Sequence, residues 1–282
     1  MSIYISKNHF LMLSLSSKKS NTYINIYNDE RYKMMLGYMS YYIDNIIKYR
    51  NNILQFKDKE KVYKVLNPYN YKIINQTEEK IIDIYTAFQN KYKTSYDSQK
   101  YYQAYEIIKL LNIHDAYSEV NEFNEIFKLL KIKTGNDFII CDINNNYNAL
   151  CDLINSKLNK QGTFIIKIRS LLSNNELLFI NALCNSFETV DIYKPLVGNI
   201  WLSDKYLICK KYKNKVIINN KVDIGILNEI QKLNNTFNTQ QTIDINKVVN
   251  YIIKRNYFSD EYYKYLDEQK EAHNKWIKEF LK

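Results

Sequence analysis

The sequence predicts an α/β protein: the second half of a doubly wound sheet, ending in a strand pair, with mostly helical segments on either side. Three observations carry this. Thr163 to Ile168 is a continuous β-rich apolar run of the kind that a strand covered on both faces requires. Val190 to Tyr193 and Tyr206 to Cys209 are two more such runs. Between the first run and the second, Leu177, Leu178, Ala182, Leu183 and Phe187 recur at helical spacing.

Along the chain, alternating Tyr23, Ile24, Ile26 and Tyr27 suggest a strand or an ordered arm. From Asp29 to Phe56, Met34, Met35, Tyr38, Met39, Tyr42, Ile43, Ile46 and Ile47 repeat at a period of about 3.6, which predicts a long amphipathic helix. Asn67-Pro68 forces a turn, because the residue before a proline is pushed out of the helical region. Helices are expected over Thr77 to Phe88, Ser98 to Asn112 and Glu119 to Lys131, the last closed by Gly135. Phe138 to Cys141 reads as a short buried strand with Asp142 at its carboxyl end. The loop Asn144 to Asn146 and a helix from Ala149 to Leu158 follow, and Gly162 turns the chain into the central strand. Tyr212 to Gly225 is polar, an arm or hairpin. Two helices close the chain, about Ile226 to Phe237 and Ile243 to Leu281, with a break near Asn256. Residues 1–97 thus form a mostly helical N-terminal region, 98–212 the sheet-bearing core and 213–282 a helical extension.

A chain of 282 residues, 46% hydrophobic, can bury a large core. Only five glycines and two prolines accompany 27 tyrosines and many Asn, Ile and Lys, the mark of an AT-biased coding sequence. That bias inflates lysine, so the net charge of +10 reads equally as mutational drift and as a polyanion-facing surface. Cys141, Cys151, Cys184 and Cys209 lie in apolar or helical segments without C-x-x-C spacing. They are read as reduced, buried fillers and not as zinc ligands or disulfides, which points to a reducing compartment. No apolar run approaches the roughly 20 residues needed to span a bilayer, so a cytoplasmic protein with no membrane partner is expected.

The core stretch carries further motifs: GTFIIKI at 162–168, IYKP at 192–195 and SDKYLIC at 203–209, with NPYNYKI at 67–73 and SQKYYQAYEII at 98–108 upstream. Together these resemble the FtsJ-like (RrmJ-like) ribose 2'-O-methyltransferases of large cytoplasmic DNA viruses, over about two-thirds of the chain. The resemblance implies a truncated Rossmann-like, FtsJ-type sheet. In that family a Lys-Asp-Lys-Glu tetrad surrounds the ribose, and its second lysine activates the 2'-hydroxyl. Matched residue by residue, the first lysine falls on Gln103, the aspartate on Asp142, the central lysine on Lys167 and the glutamate on Asp204. Two positions are kept, one is shortened by a methylene and one has lost its charge. On their own, Asp142 also reads as an ordinary turn residue. Lys167 reads as one half of a salt-bridged relic as readily as a working base.

The family holds S-adenosylmethionine at a glycine-rich turn after its first strand. Here no glycine occurs between Gly37 and Gly135. The stretch between the helix at 98–112 and the strand at 138 is also too short for the missing strands, since each crossover unit takes roughly 30 residues. No intact catalytic set, no cofactor and no metal are therefore expected. The resemblance then points to a non-catalytic relative, like the small subunit of the poxvirus mRNA capping enzyme. Such a subunit forms a heterodimer with a larger capping polypeptide and stimulates its guanine-N7-methyltransferase domain, in a cytoplasmic viral factory or a virion. Two alternatives stand beside it: an active, S-adenosylmethionine-dependent cap 2'-O-methyltransferase, and a stand-alone RNA-binding module using its charge and tyrosines. Trp201 and Trp276 are candidate partner contacts, or core residues.

Overall fold

The computed structural model describes residues 13–25, 48, 83–96, 98–142, 146–168, 173–198, 205–254 and 260–281. The helix expected over 29–56 and the turn at Asn67-Pro68 lie outside the described residues. The chain divides into two compact units: Met1–Ile43, Ile113–Pro195 and Ser203–Asn238 form the first, and Asp44–Asn112, Leu196–Leu202 and Thr239–Lys282 the second.

The first unit is a mixed α/β layer structure. Its strands are β1 (Leu13–Ser14), β2 (Tyr23–Asn25), β3 (Tyr117–Ser118), β4 (Phe138–Cys141), β5 (Thr163–Ile168), β6 (Phe187–Tyr193), β7 (Lys205–Tyr212) and β8 (Lys221–Asp223). Six form one sheet in the order β1-β6-β7-β5-β4-β3, and β2 pairs with β8 in a separate ribbon. Strands β3, β4 and β5 are parallel neighbours, and β7 is antiparallel to both β5 and β6. The α/β class that the sequence predicts is what forms, with a mixed sheet. Its connections are the helices α3 (Asn121–Leu130), α4 (Tyr147–Lys157) and α5 (Asn174–Ser186). Asn146 caps α4, accepting from the Ala149 amide at 3.1 Å. Ser173 and Glu176 start α5 with a reciprocal capping box, which satisfies two amide donors that have no partner within the helix.

Sheet alternation assigns the two faces. Ile139, Cys141, Phe164, Ile166, Ile168, Val190, Ile192, Leu207 and Cys209 pack with Leu150, Ile154, Leu177, Leu183 and Ile226 in one continuous core. Ile140, Ile165, Tyr206 and Ile208 are buried on the opposite face. There Phe123 of α3 meets the Tyr206 ring at 6.2 Å. Both faces are covered, which is why β4 and β5 read as unbroken apolar runs.

The arm at 213–225 returns to the chain's beginning. Its β8 pairs with β2, Ile24 facing Val222. Where the sequence suggested two helices parted between 237 and 243, one helix of 31 residues, α6 (Ile224–Lys254), runs through. Asn, Thr and Gln in that gap are weak helix formers, but no glycine or proline interrupts them, so the helix propagates. The chain resumes as α7 (Asp260–Phe280).

In the second unit, α1 (Ile84–Tyr92), α2 (Gln99–Leu111) and α7 share an aromatic core. Phe88 packs edge-on against Tyr102 and Tyr105, and Trp276, fully buried, lies against Phe280. Tyr105 donates to the Phe280 carbonyl at 2.9 Å, and Lys91 donates to that of Leu281. Trp276 is thus core, whereas Trp201 lies outside the described residues. Among the described residues no helix is long and apolar enough to cross a membrane.

Candidate functional site

The carboxyl edge of β4 and β5 is where a doubly wound sheet binds ligands. Cys141, the last residue of β4, pairs with Ile166, so Asp142 leaves the end of β4 where β5 continues through Lys167. By alternation Lys167 shares the face of Ile165. The antiparallel register then adds Tyr206, level with Lys167, and Tyr193, level with Tyr206. One row therefore crosses three strands on one face, Lys167, Tyr206 and Tyr193, with Asp142 just past the end of β4. Asp142 is exposed and Lys167 half-buried, while both tyrosines are buried. An ammonium continued by two phenols, with a carboxylate at the neighbouring strand end, can hold and relay protons or bind a hydroxylated ligand.

Of the predicted set, Asp142 and Lys167 both belong to the first unit. Asp204 lies outside the described residues, and Gln103 is buried on α2 in the second unit. The two tyrosines escaped the sequence reading because their side chains join the row only through the β5-β7-β6 register, which composition does not encode.

Glu106 was also missed. It sits one helical turn beyond Gln103 and is fully buried. Its carboxylate accepts from the Leu196 amide at 2.6 Å, the Val197 amide at 3.4 Å and Trp276 Nε1 at 2.9 Å. These are donors of its own unit, so Glu106 clamps the segment after IYKP. The sequence signal was an acidic residue among Tyr102, Tyr105, Ile107 and Ile108, where a carboxylate must find donors.

The resemblance implies a glycine-rich turn for the donor S-adenosylmethionine, and none lies among the described residues. Among the described residues β3 is the last strand on that side of the sheet, two residues long. The chain enters it from Asn112 through Ile113–Ala116 with no glycine-rich turn to let backbone approach a ligand. Nor does any group of three His, Cys, Asp or Glu among the described residues form a metal site.

All four cysteines are free and buried. Burial, then the carboxylates of Glu119 and Asp142, push the Cys141 thiol up to about 12. Burial likewise takes Cys184 to about 12 and Cys151 to about 11. Since the thiolate is the reactive form, the native protein is expected to resist a thiol-specific disulfide reagent at pH 8 and to release four equivalents in denaturant. Rapid native labelling of any one would show that its segment opens. No protein-family model matches the chain, and no curated protein matches it.

Proposed function

We propose that this chain is a catalytically inactive, FtsJ-type methyltransferase-like subunit that binds the guanine-N7-methyltransferase domain of a larger mRNA capping polypeptide and stimulates it. One observation carries the reading. Asp142 follows the end of β4 and Lys167 lies near the end of β5, at the edge that would face a ribose, yet among the described residues the sheet stops at β3, before the strands that would seat a methyl donor. Gln103 supports it further, because an uncharged amide stands where the resembled tetrad has an ammonium. A protein that cannot hold its donor acts by contact, and stimulation needs only a preference for one state of the partner.

Titration of S-adenosylmethionine by calorimetry is expected to give no saturable heat, and incubation with capped RNA no ribose methylation. Co-expression with a large capping polypeptide is expected to yield a co-purifying complex whose N7-methylation rises by about fivefold or more, the scale of ordinary allosteric coupling. The second reading, an active cap 2'-O-methyltransferase, is favoured by the retained Asp142 and Lys167 alone. Saturable donor binding together with ribose methylation that Lys167→Ala abolishes would establish it and overturn the first.

A further inference from the structure

The opposite, amino-terminal edge of the same sheet carries a surface that neither reading uses. Three segments meet there: residues 131–137 before β4, 157–162 before β5 and 211–215 at the end of β7. Backbone hydrogen bonds knit them together. Asn159 N donates to Asn136 O at 3.1 Å, Thr163 N to Asp137 O at 2.7 Å, Gln161 N to Tyr212 O at 3.0 Å and Lys213 N to Ser186 O at 2.9 Å. Seven of these eighteen residues are lysine, whereas Lys and Arg together make up 40 of the 282 in the chain. Lys131, Lys133, Lys157, Lys160, Lys211, Lys213 and Lys215 are all exposed.

Ordinary structural roles account for some of them. Lys131 and Lys157 end helices, where a cation complements the dipole. Lys211 and Lys213 lie 2.7 and 3.4 Å from Glu188, an exposed arrangement of little energetic worth. Lys133 forms a parallel β-bridge with Asp115, Lys160 lies in the turn before β5 and Lys215 follows β7, while Asp137 accepts from Asn159 Nδ2 at 2.8 Å. The backbone also adopts an unfavourable conformation here. Lys131, Gln161 and Lys211 take φ of 55°, 66° and 58°, left-handed values that cost a non-glycine residue roughly 1 kcal/mol each. Gln161 and Gly162 together oppose Tyr212, a bulge of the kind that re-aims side chains at a sheet rim.

From this edge we infer that the lysine rim is a phosphate-backbone surface that binds single-stranded RNA without reading its sequence. Spaced ammoniums on flexible stems meet phosphates as point charges, and no large apolar side chain exposed in these segments suits insertion into a membrane. The choice of RNA over other phosphate polymers rests on the capping reading; the surface itself does not.

The test is fluorescence anisotropy of the full chain with a labelled mixed-sequence RNA 20-mer across a salt series. A quadruple variant, Lys133→Ala, Lys160→Ala, Lys213→Ala and Lys215→Ala, is expected to bind on the order of tenfold or more weakly, with the log–log salt slope shallower by about 3, since each phosphate contact in a single strand contributes about 0.7. A control, Lys18→Ala, Lys221→Ala, Lys232→Ala and Lys264→Ala, removes the same charge from exposed sites elsewhere and is expected to keep most of the affinity. Lysine-to-arginine changes at the four rim sites are expected to restore binding, which separates charge from folding. Unchanged affinity in the rim variant, an equal loss in the control, or tighter binding of duplex DNA than of RNA overturns the inference. N7 stimulation measured separately with the partner keeps the fate of the capping reading distinct.

Discussion

Replacing Asp223 by alanine is expected to lower the unfolding free energy by about 3–5 kcal/mol, the range for breaking a buried, charge-assisted hydrogen-bond network. Asp223 is fully buried where β8 passes into α6. Its carboxylate accepts from the amides of Ser20 at 2.9 Å, Asn21 at 2.6 Å, Gly225 at 2.8 Å and Ile226 at 3.2 Å, and from the Ser20 hydroxyl at 3.1 Å. It therefore starts α6 and ties down the loop before β2, some 200 residues earlier in the chain. The approach is close: a Cβ on Gly225 would fall 2.0 Å from the Lys18 carbonyl oxygen, so only glycine fits. Burial alone would raise this carboxyl. The Ser20 and Ile226 amides, the Ser20 hydroxyl and the Asn21 amide outweigh it and hold the group below the usual aspartate range.

The sign follows from linkage. A depressed folded-state pKa stabilises fully above the unfolded value, about 3.9, and that stabilisation is lost as pH falls through the lower folded value. The gap between wild type and Asp223→Asn is therefore expected to be widest near neutrality and to close in acid below about pH 4. Urea unfolding followed by circular dichroism across pH 3–7 reads both effects. A loss under about 1 kcal/mol for the alanine variant, or a gap that widens in acid, would contradict this account.

The second large effect is expected at Glu106. Alanine there removes the acceptor for Trp276 Nε1 and for the Leu196 and Val197 amides, and stability should fall by about 3–4 kcal/mol. Glutamine keeps one acceptor oxygen and should lose about half as much. Near-UV circular dichroism would register the altered environment of the buried aromatic cluster around Trp276. If alanine unfolds with wild-type stability, Glu106 is not the clamp for the segment following Pro195.

Particular residues show what could be read beforehand. The sheet's central strands were legible because Thr163–Ile168 and Phe138–Cys141 are buried on both faces, and burial of that kind leaves a continuous apolar run. Asp142 and Lys167 were legible because a charged residue at the end of, or within, such a run is conspicuous. Tyr206 and Tyr193 were not, since among 27 tyrosines nothing local marks the two that share a row with Lys167. Glu106 and Asp223 were missed for a related reason: the donors that give them their clamping roles include ones 90 and about 200 residues away, beyond any window of periodicity.

By itself the amino-acid order determined the α/β class, the alternation of strand and helix from Phe138 onward, and the buried state of the cysteines, because each follows from side-chain polarity repeated at a short, fixed interval. Only the tertiary structure decided which strands are neighbours, which two buried carboxylates anchor distant segments, and which lysines gather on one rim. Those outcomes depend on register and on backbone hydrogen bonds between residues far apart in the chain, and a local pattern carries no record of them.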